Sequence, residues 1–215
     1  MLNYTVSGDD NGLPPVLVVH GLFGSGKNLG GIARRLTPAR QVILVDMRNH
    51  GDSFHDPDQS YPAMAGDLAE VIGLFGGQAD VVGHSMGGKT AMVLALTRPG
   101  MLRRLAVLDI SPVAYGHGQN GLIDAMQGLD LSGLRLRSDA DRRLSETIRE
   151  PGVRAFLLQS LDLKSDPPQW KLNLDILRKH MEKLTGWPEG LTPGAFTGPA
   201  LFLAGGNSDY CAPTA

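Results

Sequence analysis

One short turn of the sequence fits two different chemical signatures. Residues 83–90 read GHSMGGKT. The first five residues fit G-x-S-x-G, a turn between strand and helix that exposes a nucleophilic serine, here Ser85. The whole stretch also fits G-x-x-x-x-G-K-[ST], a phosphate-binding loop in which Lys89 and Thr90 would bind nucleotide phosphates and Mg²⁺. The turn therefore predicts either attack on a carbonyl carbon or nucleotide binding.

The elements around this turn predict an α/β fold. Both signatures require a strand before the turn and a helix after it, and the sequence VVGHSMGGKTAMVLAL supplies both. Short apolar runs, each bounded by a breaker or an acid, predict buried strands at 16–20, 42–46, 80–83, 105–110 and 200–204. Between them, apolar spacing predicts helices at 29–36, 62–75 and 86–96. Strands that alternate with helices indicate a mostly parallel sheet.

This alternation stops after residue 110. Up to about residue 199 the sequence shows no further strand-like run, and amphipathic patterns occur instead at 121–129, 140–148, 153–161 and 170–184. We therefore expect an all-helical insertion between two strands of the sheet. The predicted organisation is a core at 1–111, a helical cap at 112–198, and a return to the core with its last strand at 199–215.

Composition excludes several classes of protein. The chain has 215 residues, a net charge of −2 and one cysteine, so we expect no nucleic-acid partner and no internal disulfide. No apolar run approaches the roughly 20 residues that span a bilayer, and the first residues lack a signal-peptide pattern. We expect a cytoplasmic protein without a membrane partner, as a monomer or weak homodimer.

The position of the turn decides between the two chemistries. In favour of nucleotide binding, Asp109 ends a later strand and would hold Mg²⁺, and residues 21–27 (GLFGSGK) are a second near-match. Against it, the full match follows the third predicted strand, and its variable positions carry His84 and Ser85. A serine in a strained turn at a helix N-terminus also lies beside free N–H groups, which suit a developing oxyanion. The hydrolase interpretation therefore explains more of the chain.

Five segments, in order, carry a resemblance to a known family. They read HGLFGSGKNL (20–29), DMRNHGDS (46–53), GHSMGGK (83–89), LDISPV (108–113) and GGNSDY (205–210). The chain resembles the small capped serine esterases of the α/β-hydrolase superfamily, the YbfF type. The resemblance implies an α/β-hydrolase fold whose cap closes over the serine. It also implies cleavage of small carboxylic esters, or of thioesters, without a cofactor or metal.

In this interpretation Ser85 attacks the acyl carbon. The N–H group of Met86 would be one oxyanion donor, and the N–H of Leu22, or alternatively of Phe23, would be the second. We expect Phe23 and His84 to contact the substrate. The segment at 46–53 is interpreted as a hydrogen-bonded structural turn, and His55, His117 and His180 as solvated or cap residues.

The catalytic base and acid are less well defined. A serine needs an adjacent general base, and in this fold the histidine follows the acid in the chain. No histidine follows His180, so we expect a chain truncated at its C-terminus, without the further strand, the histidine loop and the last helix that the family has after this point. Two acids compete to orient the histidine. The YbfF-type pattern favours Asp109, and the general position in the superfamily favours Asp209.

Three alternatives stay open. The same fold and triad would serve a C–C hydrolase or a lyase of the menaquinone-pathway type, and the polarity of the cap pocket would separate these from an esterase. A chain without its base would also fit a catalytically impaired binding protein or remnant. The phosphate-binding loop is the last alternative.

Overall fold

The computed structural model describes residues 1–116 and 118–211. Within these residues the strands are β1 (Tyr4–Ser7), β2 (Val16–Val19), β3 (Val42–Val45), β4 (Ala79–His84), β5 (Leu102–Leu108), β6 (Leu161–Asp162), β7 (Gln169–Trp170) and β8 (Ala200–Leu203). Six of them form one sheet in the order β1-β3-β2-β4-β5-β8. β1 is antiparallel to its neighbour β3, and the other pairs in this sheet are parallel. The predicted mostly parallel α/β sheet is confirmed.

The helices lie between these strands. They are α1 (Gly30–Leu36), α2 (Tyr61–Leu74), α3 (Met86–Thr97), α4 (Asn120–Gly128), α5 (Arg137–Leu144), α6 (Pro151–Leu157), α7 (Leu174–Lys179) and α8 (Met181–Thr185). Four short 3₁₀ turns add Gly26–Leu29, Pro99–Met101, Leu158–Ser160 and Asp209–Cys211. Across the described ranges, we find no helix with the length and apolar character needed to cross a membrane.

Both faces of the sheet are covered by helices. Along β2, Val16 and Val18 pack in a cluster with Ala33 of α1, whereas Leu17 and Val19 belong to the main core, together with residues of α2 and α3. Successive strand residues point to opposite faces, so a strand buried on both sides must be apolar throughout. This explains why VLVV reads as an uninterrupted apolar run, and why the sequence predicted this strand.

The sequence pattern missed β1. Its residues are half-buried or exposed, because it lies at the edge of the sheet. An edge strand leaves no buried apolar run to detect. At the opposite edge, the side chains of Leu201, Phe202 and Leu203 in β8 are 52%, 53% and 52% exposed.

The segment between β5 and β8, called the insertion below, contains α4 to α8. The expectation that it is all-helical is wrong, because β6 and β7 form a small antiparallel ladder in which Leu161 pairs with Trp170. Each of these strands has only two residues, too few to produce an alternating pattern. The helix predicted at 170–184 is accordingly divided into β7, α7 and α8. The N–H of Asn173 in the insertion donates to the carbonyl of Asn49 in the core.

Candidate active site

Ser85 occupies a strained turn between β4 and α3. Its φ of 50° and ψ of −120° place it in a left-handed region that side chains rarely adopt. Glycines make this turn possible. A Cβ on Gly87 would lie 2.5 Å from the carbonyl oxygen of His20, and one on Gly83 would lie 2.4 Å from that of Gly87. The close packing of strand, loop and helix therefore presents Ser85, half-buried, at the N-terminus of α3.

Two backbone N–H groups beside Ser85 are free to donate. Met86 is the first residue of α3, where a helix leaves its N–H unpaired, and the N–H of Leu22 also has no partner within the described residues. By contrast, the N–H of Phe23 donates to Nε2 of His50 at 3.2 Å. Of the two candidate donors in this loop, the structure therefore leaves Leu22 available and Phe23 occupied.

Two buried histidines hold this loop. Nε2 of His20 accepts from the N–H of Met47 at 2.9 Å, so Nδ1 carries the proton and donates to the carbonyl of Gly21 at 2.7 Å. In the same way, Nδ1 of His50 donates to the carbonyl of Arg48 at 2.8 Å. Burial lowers the pKa of His20 to about 4 and the pKa of His50 to about 3. Both rings are therefore neutral near pH 7, and each uses both nitrogens structurally.

Because these buried histidines are neutral in the folded protein, we expect the fold to lose stability in acid. The folded-state pKa of His50 is below its ordinary value of 6.5, so the neutral ring stabilises the fold above pH 6.5, and this stability is lost as the pH falls towards about 3. We expect the free energy of unfolding to fall by about 1.4 kcal/mol per pH unit for this histidine. Urea unfolding of wild type and His50→Gln between pH 7 and pH 4.5 measures this. The variant should show the shallower dependence, whereas the exposed His55→Gln should match wild type; equal slopes in all three would contradict the assignment.

The segment at 46–53 anchors the loops around the site. The carboxylate of Asp46 accepts from the N–H groups of Gly26 at 2.8 Å and Asp52 at 3.0 Å. These bonds hold the pKa of Asp46 below its usual range, although burial opposes them. Arg48 forms a two-point ion pair with Asp67, at 2.6 and 2.8 Å. Such contacts support a structural role for this segment.

The two candidate acids lie in different surroundings. Asp109 follows β5, and its Oδ1 accepts from the N–H of Gly205 at 2.9 Å. The N–H of Ser85 donates to the carbonyl of Leu108 at 3.0 Å, which places the serine turn beside Asp109. Asp209 lies exposed in a 3₁₀ turn. Asp109 lines the same cavity as Ser85, and Asp209 does not.

The cavity at Ser85 has a volume of about 300 Å³ and a mostly apolar wall. Of the residues predicted from the sequence, it brings together Leu22, Phe23, His84, Ser85, Met86 and Asp109. Burial lowers the pKa of His84, and the charge of Asp109 partly offsets this. Of the cap residues Met126, Phe156, Trp170 and Met181, interpreted from the sequence as core with one or two lining the acyl pocket, Phe156 and Met181 line the cavity. Other lining residues, which the sequence did not single out, include Tyr61, Ile110, Tyr115, Gln119, Leu122, Val153, Leu184 and Tyr210. Among all these lining residues there is no lysine or arginine.

Comparison with known proteins decides the family. A family model described as "alpha/beta hydrolase fold" matches residues 14–138. The chain belongs to the α/β-hydrolase family. Several of the similar proteins are named esterases or lipases, which places the chain among carboxylic ester hydrolases.

Three relatives illustrate the relation. The chain is 43% identical to "sn-1-specific diacylglycerol lipase ABHD11" from Mus musculus, over 99% of the chain and 72% of that protein. It is 38% identical to "Esterase YbfF" from Escherichia coli, over 92% of the chain and 75% of that protein. The solved structure "Marine microorganism esterase" superposes with a TM-score of 0.92 at 36% identity, covering 99% of this chain and 84% of that one. The chain spans 64% to 75% of the length of the curated relatives it matches.

In this α/β-hydrolase, the lysine and threonine of the phosphate-loop pattern have other partners. Oγ1 of Thr90 donates to the carbonyl of Met86 at 2.9 Å, within α3. Nζ of Lys89 donates to three backbone carbonyls in the insertion. Neither group is free to bind a nucleotide phosphate or Mg²⁺. The sequence contained a signal for this, because a single charge within the apolar helix MGGKTAMVLAL requires a buried partner.

The described histidines offer few candidates for a general base. His20 and His50 use both ring nitrogens in the loop contacts given above. His180 is bound through Nε2 to the carbonyl of Pro57 at 2.9 Å. His84 is the histidine that lines the cavity, among those the structure describes. His117, expected to belong to the cap, lies outside the described residues.

Proposed function

We propose that the protein hydrolyses small neutral carboxylic esters or thioesters through an acyl-enzyme formed on Ser85. The observation that carries this proposal is the position of Ser85, held in a strained turn that lines a mostly apolar cavity, next to two free N–H donors. The strain points to function, because a non-glycine residue keeps such a conformation only where its surroundings impose it.

In the proposed reaction, the hydroxyl of Ser85 attacks the acyl carbon. The N–H groups of Leu22 and Met86 then stabilise the negative charge that develops on the carbonyl oxygen, assisted by the positive end of α3. When this tetrahedral intermediate collapses, the C–O or C–S bond to the leaving group breaks, and the alcohol or thiol departs from the acyl-enzyme. Water then attacks the acyl-enzyme, releases the carboxylic acid and regenerates the serine. The two N–H donors are fixed in the folded chain, so little reorganisation would accompany the charge development.

Serine also needs a base to accept its proton. We propose that a histidine outside the described residues fills this role, oriented by Asp109. The support is geometric: Asp109 lies at the cavity beside Ser85, and the buried His20 and His50 have no nitrogen available. His84 directly precedes the serine on the same turn, and we assign it to substrate contact, together with Phe23.

The cavity wall supports a neutral acyl group as substrate. A substrate bound through a carboxylate would need a cationic partner, since an unpaired charge is costly to bury. The lining residues include none, which favours an esterase over a C–C hydrolase or lyase that recognises an anionic substrate. We propose that the insertion serves as the cap, because its residues Leu122, Val153 and Phe156 line the same cavity as Ser85.

A pair of esters with matched acyl groups tests this proposal. The p-nitrophenyl ester of pentanoic acid and the half-ester of glutaric acid differ by one terminal carboxylate. We expect the protein to hydrolyse the neutral ester with a kcat/KM about 100-fold higher, because the charged chain would enter an apolar cavity without a partner. Spontaneous hydrolysis of each ester is the control. A preference for the charged ester would overturn the assignment of substrate class.

A further inference from the structure

Lys89 has an environment that the proposed reaction does not use. It lies one helical turn after Ser85 on α3, and it is only 1% exposed. Its Nζ donates to the carbonyl oxygens of Val113 at 2.8 Å, Thr185 at 3.0 Å and Gly186 at 2.6 Å. An ammonium group has three N–H donors, so this lysine is fully satisfied.

These three carbonyls belong to the two ends of the insertion. Val113 follows β5, where the chain enters the insertion, whereas Thr185 ends α8 and Gly186 follows it. The last carbonyls of a helix have no partner within the helix and carry a partial negative charge. One buried cation on the serine-bearing helix therefore holds both ends of the insertion.

Aromatic rings complete the enclosure of this cation. Nζ lies 4.6 Å from the ring centre of Tyr115 and 5.8 Å from that of Tyr61, distances suited to cation–π attraction. Burial lowers the pKa of Lys89 to about 8, so the ammonium form still predominates at pH 7. The hydroxyl of Tyr61 adds a second tie to α8, by donating to the carbonyl of Leu184 at 2.6 Å.

The contact between Lys89 and α8 affects the wall of the cavity. α8 contributes Met181, Leu184 and Thr185 to the wall, and Lys89 bonds the carbonyl at its end. We propose that Lys89 is a positioning residue, which fixes both ends of the insertion to the helix of Ser85 and so sets the position of the acyl-binding wall. The claim that Lys89 sets the position of the acyl-binding wall rests on the proposed function. The claim that Lys89 fixes the insertion to the helix of Ser85, called the mechanical part below, does not.

Simple packing does not explain a lysine here. A leucine or methionine would fill the same volume at the start of an apolar helix without the cost of burying a charge. The three N–H donors of Lys89 bind three carbonyls from two separate segments. These hydrogen bonds offset the free energy that is lost when the charge is buried. Removing the amine would take from the carbonyls of Val113 and Gly186 their bond to Lys89, whereas the carbonyl of Thr185 would keep the N–H of Tyr115 at 2.9 Å. This loss destabilises the contact between insertion and core selectively.

Hydrogen exchange of the 215-residue chain tests the mechanical part without relying on catalysis. In Lys89→Met we expect amides at 110–116 and 181–190 to exchange at least about tenfold faster, because each lost bond to a charged group weakens the contact. Amides of β2, β3 and β4 should be unchanged. Lys171→Met is the matched control, since Nζ of Lys171 also joins insertion to core, at 2.6 Å from Asp52, but near the surface. This control should leave both segments unchanged.

Ester-hydrolysis kinetics test the part that concerns the acyl group. For a short neutral ester, Lys89→Met should raise KM about tenfold and change kcat less than threefold, because the wall moves while the serine turn stays intact. Lys89→Arg, which keeps a charged donor, should recover at least part of the lost affinity. Changed exchange with unaltered kinetics would reject the role in acyl binding and keep the mechanical one.

Other outcomes would overturn the proposal as a whole. Uniformly faster exchange throughout the sheet would mean that Lys89 supports the fold in general. Unchanged exchange in both segments would mean that it positions nothing. If Lys89→Met does not fold, Lys89→Gln, which keeps an uncharged donor, is measured in the same way; failure of both variants to fold would also reject a role specific to the insertion.

Discussion

Replacing Ser85 with alanine is expected to lower kcat/KM for a neutral acyl ester by about 10⁶-fold. The reason is that no covalent intermediate can form, while the N–H groups of Leu22 and Met86 remain and provide only the residual catalysis of an oxyanion site. The fold should tolerate the change, because the alanine keeps the Cβ that already occupies this strained turn. Thermal unfolding of the variant checks that expectation.

Covalent labelling separates loss of the nucleophile from loss of substrate binding. A fluorophosphonate probe should add to Ser85 in the active wild-type protein and not to Ser85→Ala, with the modified residue identified by peptide mass. Ser132→Ala is a suitable control, since Ser132 is exposed in the insertion, away from the cavity. Ester turnover by Ser85→Ala within 100-fold of wild type, or labelling of another serine, would refute the assignment of the nucleophile.

The sequence predicts the serine turn and most of the sheet, for physical reasons. Strands buried on both faces must be apolar throughout, and β2 and β3 are such strands. The glycines around Ser85 indicate that the backbones approach each other closely there, because a larger residue would clash. These signals are local in the chain, so the residues themselves carry them.

Local sequence patterns do not predict the features that depend on contacts between distant segments. The bond from the N–H of Phe23 to His50 decides which amide near the serine is free, yet the two residues are 27 positions apart. The partners of Lys89 lie 24, 96 and 97 positions away. A pattern reveals that a buried charge needs a partner, but only the folded chain shows that the partners are the two ends of the insertion.

The sequence does not decide between the two candidate acids for the same reason: the contacts that separate them join distant segments. Both follow a strand of the sheet, and position along the chain alone does not separate them. In the folded protein, the ladder bond between Ser85 and Leu108 brings the serine turn next to the end of β5, and Asp109 therefore reaches the cavity. Its φ of 56° is a second strained conformation at the same site.

From this geometry we expect Asp109→Asn to lower kcat by about 10⁴-fold, because an amide in place of the carboxylate no longer orients the histidine or stabilises its charged form. Asp209→Asn should change kcat less than threefold, since Asp209 is exposed and lies outside the cavity wall. The two substitutions are chemically identical, so each is the control for the other. Steady-state kinetics with one neutral ester measure both.

The pH dependence of kcat/KM adds a second criterion. An acid that orients the base also sets its pKa, because a nearby carboxylate favours the protonated imidazole. Asp109→Asn should therefore shift the acidic limb of the pH profile to lower pH, whereas Asp209→Asn should leave this limb in place. A large loss of kcat together with a shifted limb in Asp209→Asn, and neither in Asp109→Asn, would reverse the assignment and imply that the exposed turn at 209–211 reorganises to reach the cavity.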